Sequence, residues 1–448
     1  MQDGTPQGGK VFFKTFGCQM NEYDTSKMRA LLASQGWEST TEADEADLVL
    51  VNTCSVREKA VDKMHSALGE FRRQKREGRD LTIGIAGCVA QERGAELMKK
   101  YKGVDLIFGP DHVPRIGEMV ARARMGDRVL DTEFLDLETY AFVRDVDPQT
   151  HGVGAFVTIQ KGCDNKCTFC IVPYTRGVEV SRPHAEIVEE VRKVVASGAV
   201  EITLIGQNVN SYGLKVPGEI TFAQLLYKVA EVPGVQRIRY TTSHPRDMGD
   251  DVIQAYADLP QLTSHLHLPV QSGSNKILRR MKRYYTREHF MTVLDKLRVA
   301  RPDIVLSTDI IVGFPDESPE DFEQTMTLLE EVGFVGSFSF KYSPRPGTPA
   351  LRIKNPVDNK ESGARLIRYQ DRQRELSLQW HRAHEGRVVD VLVEGDSRHD
   401  EGVICGRTTQ NAMINFPGTL ELVGKTVSVK VTRGFTHSCR GEQVPSGG

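Results

Sequence analysis

Little in this chain points to a membrane, a secreted scaffold or a polyanion-coating surface. Its 448 residues contain no apolar run near the length of a membrane span, and residues 1–9 are polar, without the apolar stretch of a signal segment. The expectation is a cytoplasmic protein that starts with a disordered tail over 1–9 and has no membrane partner. Eight cysteines are too few for a disulfide scaffold at this length, and in a reducing compartment grouped thiols are more often metal-binding or catalytic than bridged. A formal charge of −2 excludes a global attraction for nucleic acid, so any such partner has to meet local basic patches. What is present is a hydrophobic content of 39%, that of a soluble globular protein, in a chain long enough for about three domains.

Two basic stretches stand out. Arg72-Arg73-Gln74-Lys75-Arg76 ends an expected helix and reads as a solvated face. Arg279-Arg280-Met281-Lys282-Arg283-Tyr284-Tyr285 interleaves aromatics with positive charge, which suits phosphates and a stacked base, core-facing tyrosines being the alternative.

The most informative stretch is Lys161-Gly162-Cys163-Asp164-Asn165-Lys166-Cys167-Thr168-Phe169-Cys170, with three thiols in C-x-x-x-C-x-x-C spacing. A structural zinc ion closes its shell with four protein ligands, whereas a cluster on three thiolates keeps one iron open. From these ten residues alone, half of a zinc ribbon remains an alternative.

In the N-terminal third, short buried runs at 10–16 (KVFFKTF), 47–51 (DLVLV) and 81–86 (LTIGIA) each end at a cysteine: Cys18, Cys54 and Cys88. A helical stretch follows each, most clearly 57–77, with Ala60, Met64, Ala67, Leu68 and Phe71 at helical spacing. A fourth strand is expected at 104–109 and a closing helix at 113–124. Alternating strand and helix predicts a doubly wound parallel sheet, whose loops crowd one edge at the strands' carboxyl ends. Three cysteines distant in sequence then converge, a second three-thiol site. Residues 128–148 read as an acidic, irregular linker between domains at 10–127 and 149–382.

From residue 155 six further strands are expected, at 155–160, 201–205, 237–242, 265–270, 304–312 and 337–342. Six units fit a partial (β/α)6 barrel, with chemistry at the carboxyl ends of its strands. The strand-end words Gly206-Gln207-Asn208, Thr242-Ser243-His244-Pro245, Gln271-Ser272-Gly273-Ser274 and Gly313-Phe314-Pro315-Asp316-Glu317 line the same mouth as the cysteine loop. His244 and His267 read as hydrogen-bonded residues without catalytic duty. A charged helix at about 358–381 leads into 383–445, where runs RVVDVLVEG, GVICGRT, NAMINF and KTVSVKVTRG predict a small all-β unit. Its Arg398, Arg407, Lys425, Lys430 and Arg433 are balanced by acids, so composition alone does not make it an RNA-binding unit. Cys405 and Cys439 read as buried or idle thiols.

These words together resemble the radical S-adenosylmethionine methylthiotransferases over about 10–441. The resemblance implies that Cys163, Cys167 and Cys170 hold a 4Fe–4S cluster whose open iron binds the amino and carboxylate groups of S-adenosylmethionine. Phe169, Gly206, Gln207, Ser243, Gln271 and Gly313 would then line the cofactor. The words Gly17-Cys18-Gln19-Met20-Asn21, Asn52-Thr53-Cys54-Ser55 and Gly87-Cys88-Val89-Ala90-Gln91 are similar to those of the family's N-terminal domain, which implies an auxiliary 4Fe–4S cluster on Cys18, Cys54 and Cys88. The C-terminal unit is similar to a TRAM domain, which implies a barrel of OB type and RNA binding. Many relatives carry a glycine where this chain has Asp316. The words His267-Leu268-Pro269-Val270-Gln271-Ser272 and Tyr342-Ser343-Pro344-Arg345-Pro346-Gly347 are similar to the branch acting on N6-isopentenyladenosine in the tRNA anticodon stem-loop. The alternative within the family is the branch acting on a ribosomal-protein aspartate, which usually has histidine at the position of Ser272. Implied with the tRNA branch are two S-adenosylmethionines per turnover, one methylating a sulfur and one yielding the 5′-deoxyadenosyl radical that activates carbon 2 of adenine. A reducing electron-donor protein and a sulfur donor are implied as well. Tyr284, Tyr285 and Phe435 are candidates for stacking on the base. The alternative from another class is a non-catalytic metal protein that binds RNA.

Overall fold

The computed structural model describes residues 8–56, 58–135, 142–143, 152–397 and 400–444. The chain forms two compact units, one of Met1–Thr150, Gln160–Asn165 and Ile171–Arg182, the other of His151–Ile159, Lys166–Cys170 and Pro183–Gly448.

In the first unit six parallel strands, β1 (Lys10–Phe16), β2 (Glu38–Ser39), β3 (Leu48–Thr53), β4 (Thr82–Ala86), β5 (Leu106–Phe108) and β6 (Val129–Asp131), run in the order β2-β1-β3-β4-β5-β6. Helices α1 (Gln19–Ala33), α2 (Glu58–Arg76), α3 (Cys88–Lys100) and α4 (Ile116–Arg124) cover both faces. The alternation of side chains along each strand shows why. Leu48 and Leu50 join Met28 and Leu32 of α1 and Met119 of α4, while Val49 and Val51 join Met64 and Leu68 of α2 and Leu97 of α3. Strands buried on both faces read as continuous apolar runs, which is why the sequence exposed them.

The strand order reverses between β1 and β3. Chains leaving these two ends diverge to opposite faces, and a crevice opens where they part. Cys18 and Cys54 follow those two strands.

Two features of the structure bear on the boundaries. The expected linker from 128 begins with a strand, β6, too short to show a period and reached through a turn at Gly126, whose φ is +99°. Most of the remaining linker, the tail over 1–7 and Arg398 lie outside the described residues. Parts of the expected central domain also belong to the first unit: the antiparallel pair Gln160–Lys161 with Val180–Ser181, and the short helix Val172–Thr175. Charge holds them there. Lys161 Nζ lies 2.5 Å from Asp111 Oδ1, both side chains being buried.

In the second unit, β7 (Gly154–Thr158), β8 (Glu201–Ile205) and β9 (Arg237–Tyr240) form one parallel sheet, and β10 (His265–His267), β11 (Val305–Val312) and β12 (Gly336–Lys341) another. A parallel bridge between Ile238 and Leu262 joins the two into one sequential arc. Among the described residues no ladder pairs β7 with β12, so the barrel is partial, as expected. Helices α5 (His184–Ala196), α6 (Phe222–Ala230), α7 (Asp250–Asp258), α8 (Asn275–Arg280), α9 (Arg287–Ala300) and α10 (Pro319–Val332) return the chain between strands. Ile202, Leu204, Ile238, Leu266, Leu306 and Ile310 are buried on the helix side. Their neighbours Thr203, Arg239, His265, His267, Ser307, Asp309 and Ile311 are only half-buried and face the lumen.

Helix α11 (Asn359–Arg382) leads into a closed barrel of β13 (Val388–Asp396), β14 (Val403–Arg407), β15 (Met413–Pro417), β16 (Thr426–Gly434) and β17 (Cys439–Gln443). The sequence showed the first four. The fifth, with the pattern CRGEQ, carries no apolar alternation, yet it closes the barrel between β15 and β16 and places Cys439 in the core.

Candidate active site

In the first unit Cys18, Cys54 and Cys88 stand directly after β1, β3 and β4. Glycine makes two of these turns possible. Gly87 has φ +90°, and a Cβ there would meet Asn52 Oδ1 at 2.3 Å; one on Gly17, φ +147°, would meet Cys54 Cβ at 2.4 Å. A buried amide network then fixes the loops. Asn21 Nδ2 donates to Asn52 Oδ1 (2.9 Å), and Asn52 Nδ2 donates to Asn21 O (2.8 Å) and Thr25 Oγ1 (3.0 Å). Cys18 Sγ lies 3.3 Å from Asn21 Oδ1, and the Val56 amide donates to Cys54 Sγ.

The thiols interact with one another. A hydrogen bond from Cys54 lowers Cys18 to about 6, helped by the charge of Arg176, while the same bond and burial drive Cys54 up. Burial also raises Cys88, against the pull of Arg176. All eight cysteines are free of disulfides. Among the described residues no three His, Cys, Asp or Glu side chains converge as a single ion needs. Free thiols at three neighbouring strand ends, with Cys18 lowered toward the thiolate and Arg176 beside Cys88, are the kind of sulfur donors an iron–sulfur cluster takes.

Sequence reasoning missed Arg176. It is 4% exposed, its Nε points at Cys88 Sγ (3.3 Å) and its Nη2 pairs with Asp24 Oδ2 (2.6 Å). An arginine eighty-eight positions from its thiol leaves no local signal.

The cysteine loop itself is divided: Cys163 lies in a segment of the first unit, Cys167 and Cys170 in one of the second. The Cys163 amide donates to Gly177 O (3.2 Å), and Gly162, φ +72°, has no room for a Cβ against Val178 O. In the second unit Thr168 pins the loop. Its amide and hydroxyl donate to Met281 O and Arg280 O at the end of α8, and its carbonyl accepts from the Ala350 amide. Phe169 packs against Ile277, Met281, Phe314 and Ala350.

The other expected residues fall at the carboxyl ends of neighbouring strands: Gly206 and Gln207 after β8, Ser243 after β9, Gln271 after β10 and Gly313 after β11. Asn210 Nδ2 donates to His244 O, and the His244 amide donates to Asn210 Oδ1, each at 2.9 Å, which locks the first two loops together. Among the described residues, Gln207 Oε1, Asn208 Oδ1, Ser243 Oγ and His244 Nε2 are buried without a hydrogen-bond partner. Four such atoms in two adjacent loops fit a polar ligand. Backbone strain marks the same edge, with φ +67° at the β-branched Thr242 and +73° at Gln271.

The basic stretch 279–285 divides. Arg283 is buried and donates to Cys167 Sγ (3.5 Å), Tyr285 OH (3.1 Å) and Pro269 O (2.8 Å). Tyr285 is 8% exposed and packs edge-on against His244, so it is the core-facing alternative and no stacking platform. Tyr284 is exposed, with the Arg246 guanidinium over its ring. In the stretch 72–76, Arg73 pairs with Glu70 and Glu77, and Lys75 with Asp105, as a solvated face does.

Gly313 has a packing reason for its missing side chain. A Cβ would stand 2.2 Å from Ser362 Oγ of α11, and its amide donates to Glu317 Oε2 (2.7 Å). Asp316 adopts φ +74° despite its side chain, held by Arg280 (3.1 Å) and Asn355 (3.3 Å), so the backbone a glycine favours is retained. Ser272 is fully buried beside Thr325 and Ser274. It serves here as a packing residue.

An open arc of six parallel strands, with a three-thiol loop after the first and polar strand-end loops beside it, defines a radical S-adenosylmethionine enzyme. Residues 157–329 match the Radical SAM superfamily, 10–109 match Uncharacterized protein family UPF0004, and 382–444 match the TRAM domain. A solved radical S-adenosylmethionine methyltransferase, TsrM of Kitasatospora setae, shares the fold at TM-score 0.56 and 14% identity, over 77% of this chain and 74% of that one. The tRNA-2-methylthio-N(6)-dimethylallyladenosine synthase of Geobacter metallireducens is 47% identical over 96% of this chain and 98% of its own length. That of Nitrosomonas europaea is 47% identical over 97% and 99%. The chain belongs to the family of tRNA-2-methylthio-N(6)-dimethylallyladenosine synthases.

Proposed function

We propose that this enzyme converts N6-dimethylallyladenosine of tRNA to its 2-methylthio derivative. The observation that carries this is near-full-length 47% identity to enzymes of that name, in a chain that carries three cysteines at each of two sites. Its radical domain implies a 4Fe–4S cluster and S-adenosylmethionine. We assign that cluster to Cys163, Cys167 and Cys170 and a second to Cys18, Cys54 and Cys88. When bound, these groups supply one-electron cleavage of a sulfonium C–S bond and a sulfur to transfer, chemistry that carbon 2 of an adenine requires because no side-chain base removes its hydrogen. A cofactor used twice per turnover, an electron-donor protein and a sulfur donor complete the reading, as does a cytoplasmic setting; no described helix is long and apolar enough to cross a membrane.

The chain's own residues position and shield. Arg283 sets a positive charge against Cys167, and Arg176 sets one against Cys88. Gln207, Asn208, Ser243 and His244 offer unpaired polar atoms to S-adenosylmethionine, and Thr168 with Phe169 holds the loop closed against α8. The domain division follows: an auxiliary-cluster domain over 10–127, extended by β6, a radical domain over 149–382 that shares 160–165 and 171–182 with it, and a TRAM domain over 383–445. Mass spectrometry of tRNA nucleosides from cells lacking the protein tests the reading. The 2-methylthio nucleoside disappears and N6-dimethylallyladenosine accumulates; an unchanged 2-methylthio level refutes it.

A further inference from the structure

The lumen of the second unit carries an apolar feature that the chemistry above leaves unused. On β12 the alternate residues Phe338 and Phe340 are 55% and 44% exposed, although they lie on the concave side of the arc. Residues i and i+2 of a strand stand about 7 Å apart, so the two rings form one short shelf. Register places Asp309 beside Phe338 and Ile311 beside Phe340. His267 meets the Phe338 ring edge-on at 5.9 Å, and its Nδ1 lies 2.9 Å from Ser307 Oγ. Toward the carboxyl ends, Ile311 packs in the same apolar cluster as Phe169 of the cysteine loop. The shelf is thus polar at one end and continuous with the reacting edge at the other. Paired exposed aromatics inside a lumen mark a ligand surface.

We propose that Phe338 and Phe340, with Ile311, receive the N6-dimethylallyl tail of the substrate adenosine and set the preference for prenylated over unprenylated RNA. This rests on the substrate reading above. A branched five-carbon tail matches the shelf in length and chemistry. Adenine is flat and polar-edged and belongs at the reacting edge, whereas His267, Ser307 and Asp309, bonded to one another, bound the shelf at its other end. The tail is the part of the substrate that polar loops cannot read.

The test uses the reconstituted full-length enzyme and two anticodon stem-loop RNAs that differ only in the prenyl group, with binding measured by fluorescence anisotropy. The wild type prefers the prenylated RNA by about tenfold or more, the discrimination a hydrophobic pocket gives per alkyl group. In Phe338→Ala/Phe340→Ala the ratio falls to within about threefold of unity. Phe338→Leu/Phe340→Leu keeps most of it, because apolar surface remains. Loss of folding lowers both affinities together and leaves the ratio unmoved, so the ratio reports the shelf alone. A double-alanine variant that retains the wild-type ratio overturns the inference, as does a ratio abolished by Tyr284→Ala instead. A wild type that shows neither preference nor methylthio product indicts the substrate reading and not the shelf.

Discussion

Gly87→Ala is the sharpest probe of how the first three-thiol site is held. At φ +90° and ψ −162° the backbone lies in a region that essentially only glycine occupies, so strain alone costs about 1–3 kcal/mol. The new Cβ would also stand 2.3 Å from Asn52 Oδ1 and 2.9 Å from both Asn21 Nδ2 and Thr53 O. Moving the Asn52 amide aside forfeits up to three hydrogen bonds in a fully buried network, at about 1 kcal/mol each. The expected loss is therefore about 3–5 kcal/mol, and part of it runs through Asn52. Asn52→Ala alone costs about 3 kcal/mol by the same count. In the double variant the amide is already gone and only strain and the remaining contacts act, so the combined loss falls short of the sum by about 1–2 kcal/mol. Urea unfolding reads this with Trp37 as reporter of the first unit, Trp380 being replaced by Phe; these are the chain's only two tryptophans. Additivity within about 0.5 kcal/mol refutes the claim that Gly87 exists to make room for Asn52.

Three further outcomes follow from buried charge. Arg176→Ala leaves Asp24 without its partner and Cys88 without its donor, and costs about 3–5 kcal/mol; Arg176→Lys restores part of it, and iron retention after reconstitution tracks the same order. Lys161→Met strands Asp111 at a similar cost, whereas Lys161→Met/Asp111→Leu recovers most of the stability; equal losses in single and double variants contradict the pairing. Burial, with the charges of Arg283 and Arg246, lowers His244 to about 2, and burial, with Arg239, His267 and Arg407, lowers His265 to about 3. Both histidines take up a proton more readily unfolded, so their contribution is whole above about pH 6.5 and is lost as pH falls toward the folded values, by up to about 1.4 kcal/mol per pH unit each. Urea midpoints of the second unit, read by Trp380 in a Trp37→Phe background, decline below pH 6.5, and His244→Gln declines less steeply; identical slopes refute the assignment.

What the sequence disclosed and what it hid divide along physical lines. Strands β3, β4 and β5 were legible because burial on both faces leaves uninterrupted apolar runs, and the cysteines after β1, β3 and β4 were legible because each strand end was. Short edge strands were not: β2 and β6 have two and three residues and follow no period, and β17 is held by barrel closure against a sequence of charged and small residues. Long-range partners were also hidden. Arg176 reaches Cys88 and Arg283 reaches Cys167 across more than eighty residues, and nothing local marks either guanidinium as a thiol's neighbour. The motif 279–285 left two readings open for the same reason, since alternation of basic and aromatic residues describes a solvated patch and a buried hydrogen-bonding cluster equally well. Gly313 shows that a strand-end glycine can serve packing against a distant helix, here Ser362 of α11.

The central claim is a division of labour between two cysteine sets, and one anaerobic measurement tests it. Wild type, Cys54→Ala and Cys167→Ala are reconstituted in parallel and assayed for iron, acid-labile sulfide, 5′-deoxyadenosine and methylthiolated nucleoside on prenylated stem-loop RNA. The wild type holds about eight irons and each variant about four, two 4Fe–4S clusters against one. Cys167→Ala yields no 5′-deoxyadenosine, while Cys54→Ala yields it and makes no methylthio product. Methylthio product from Cys54→Ala, or 5′-deoxyadenosine from Cys167→Ala, contradicts the account.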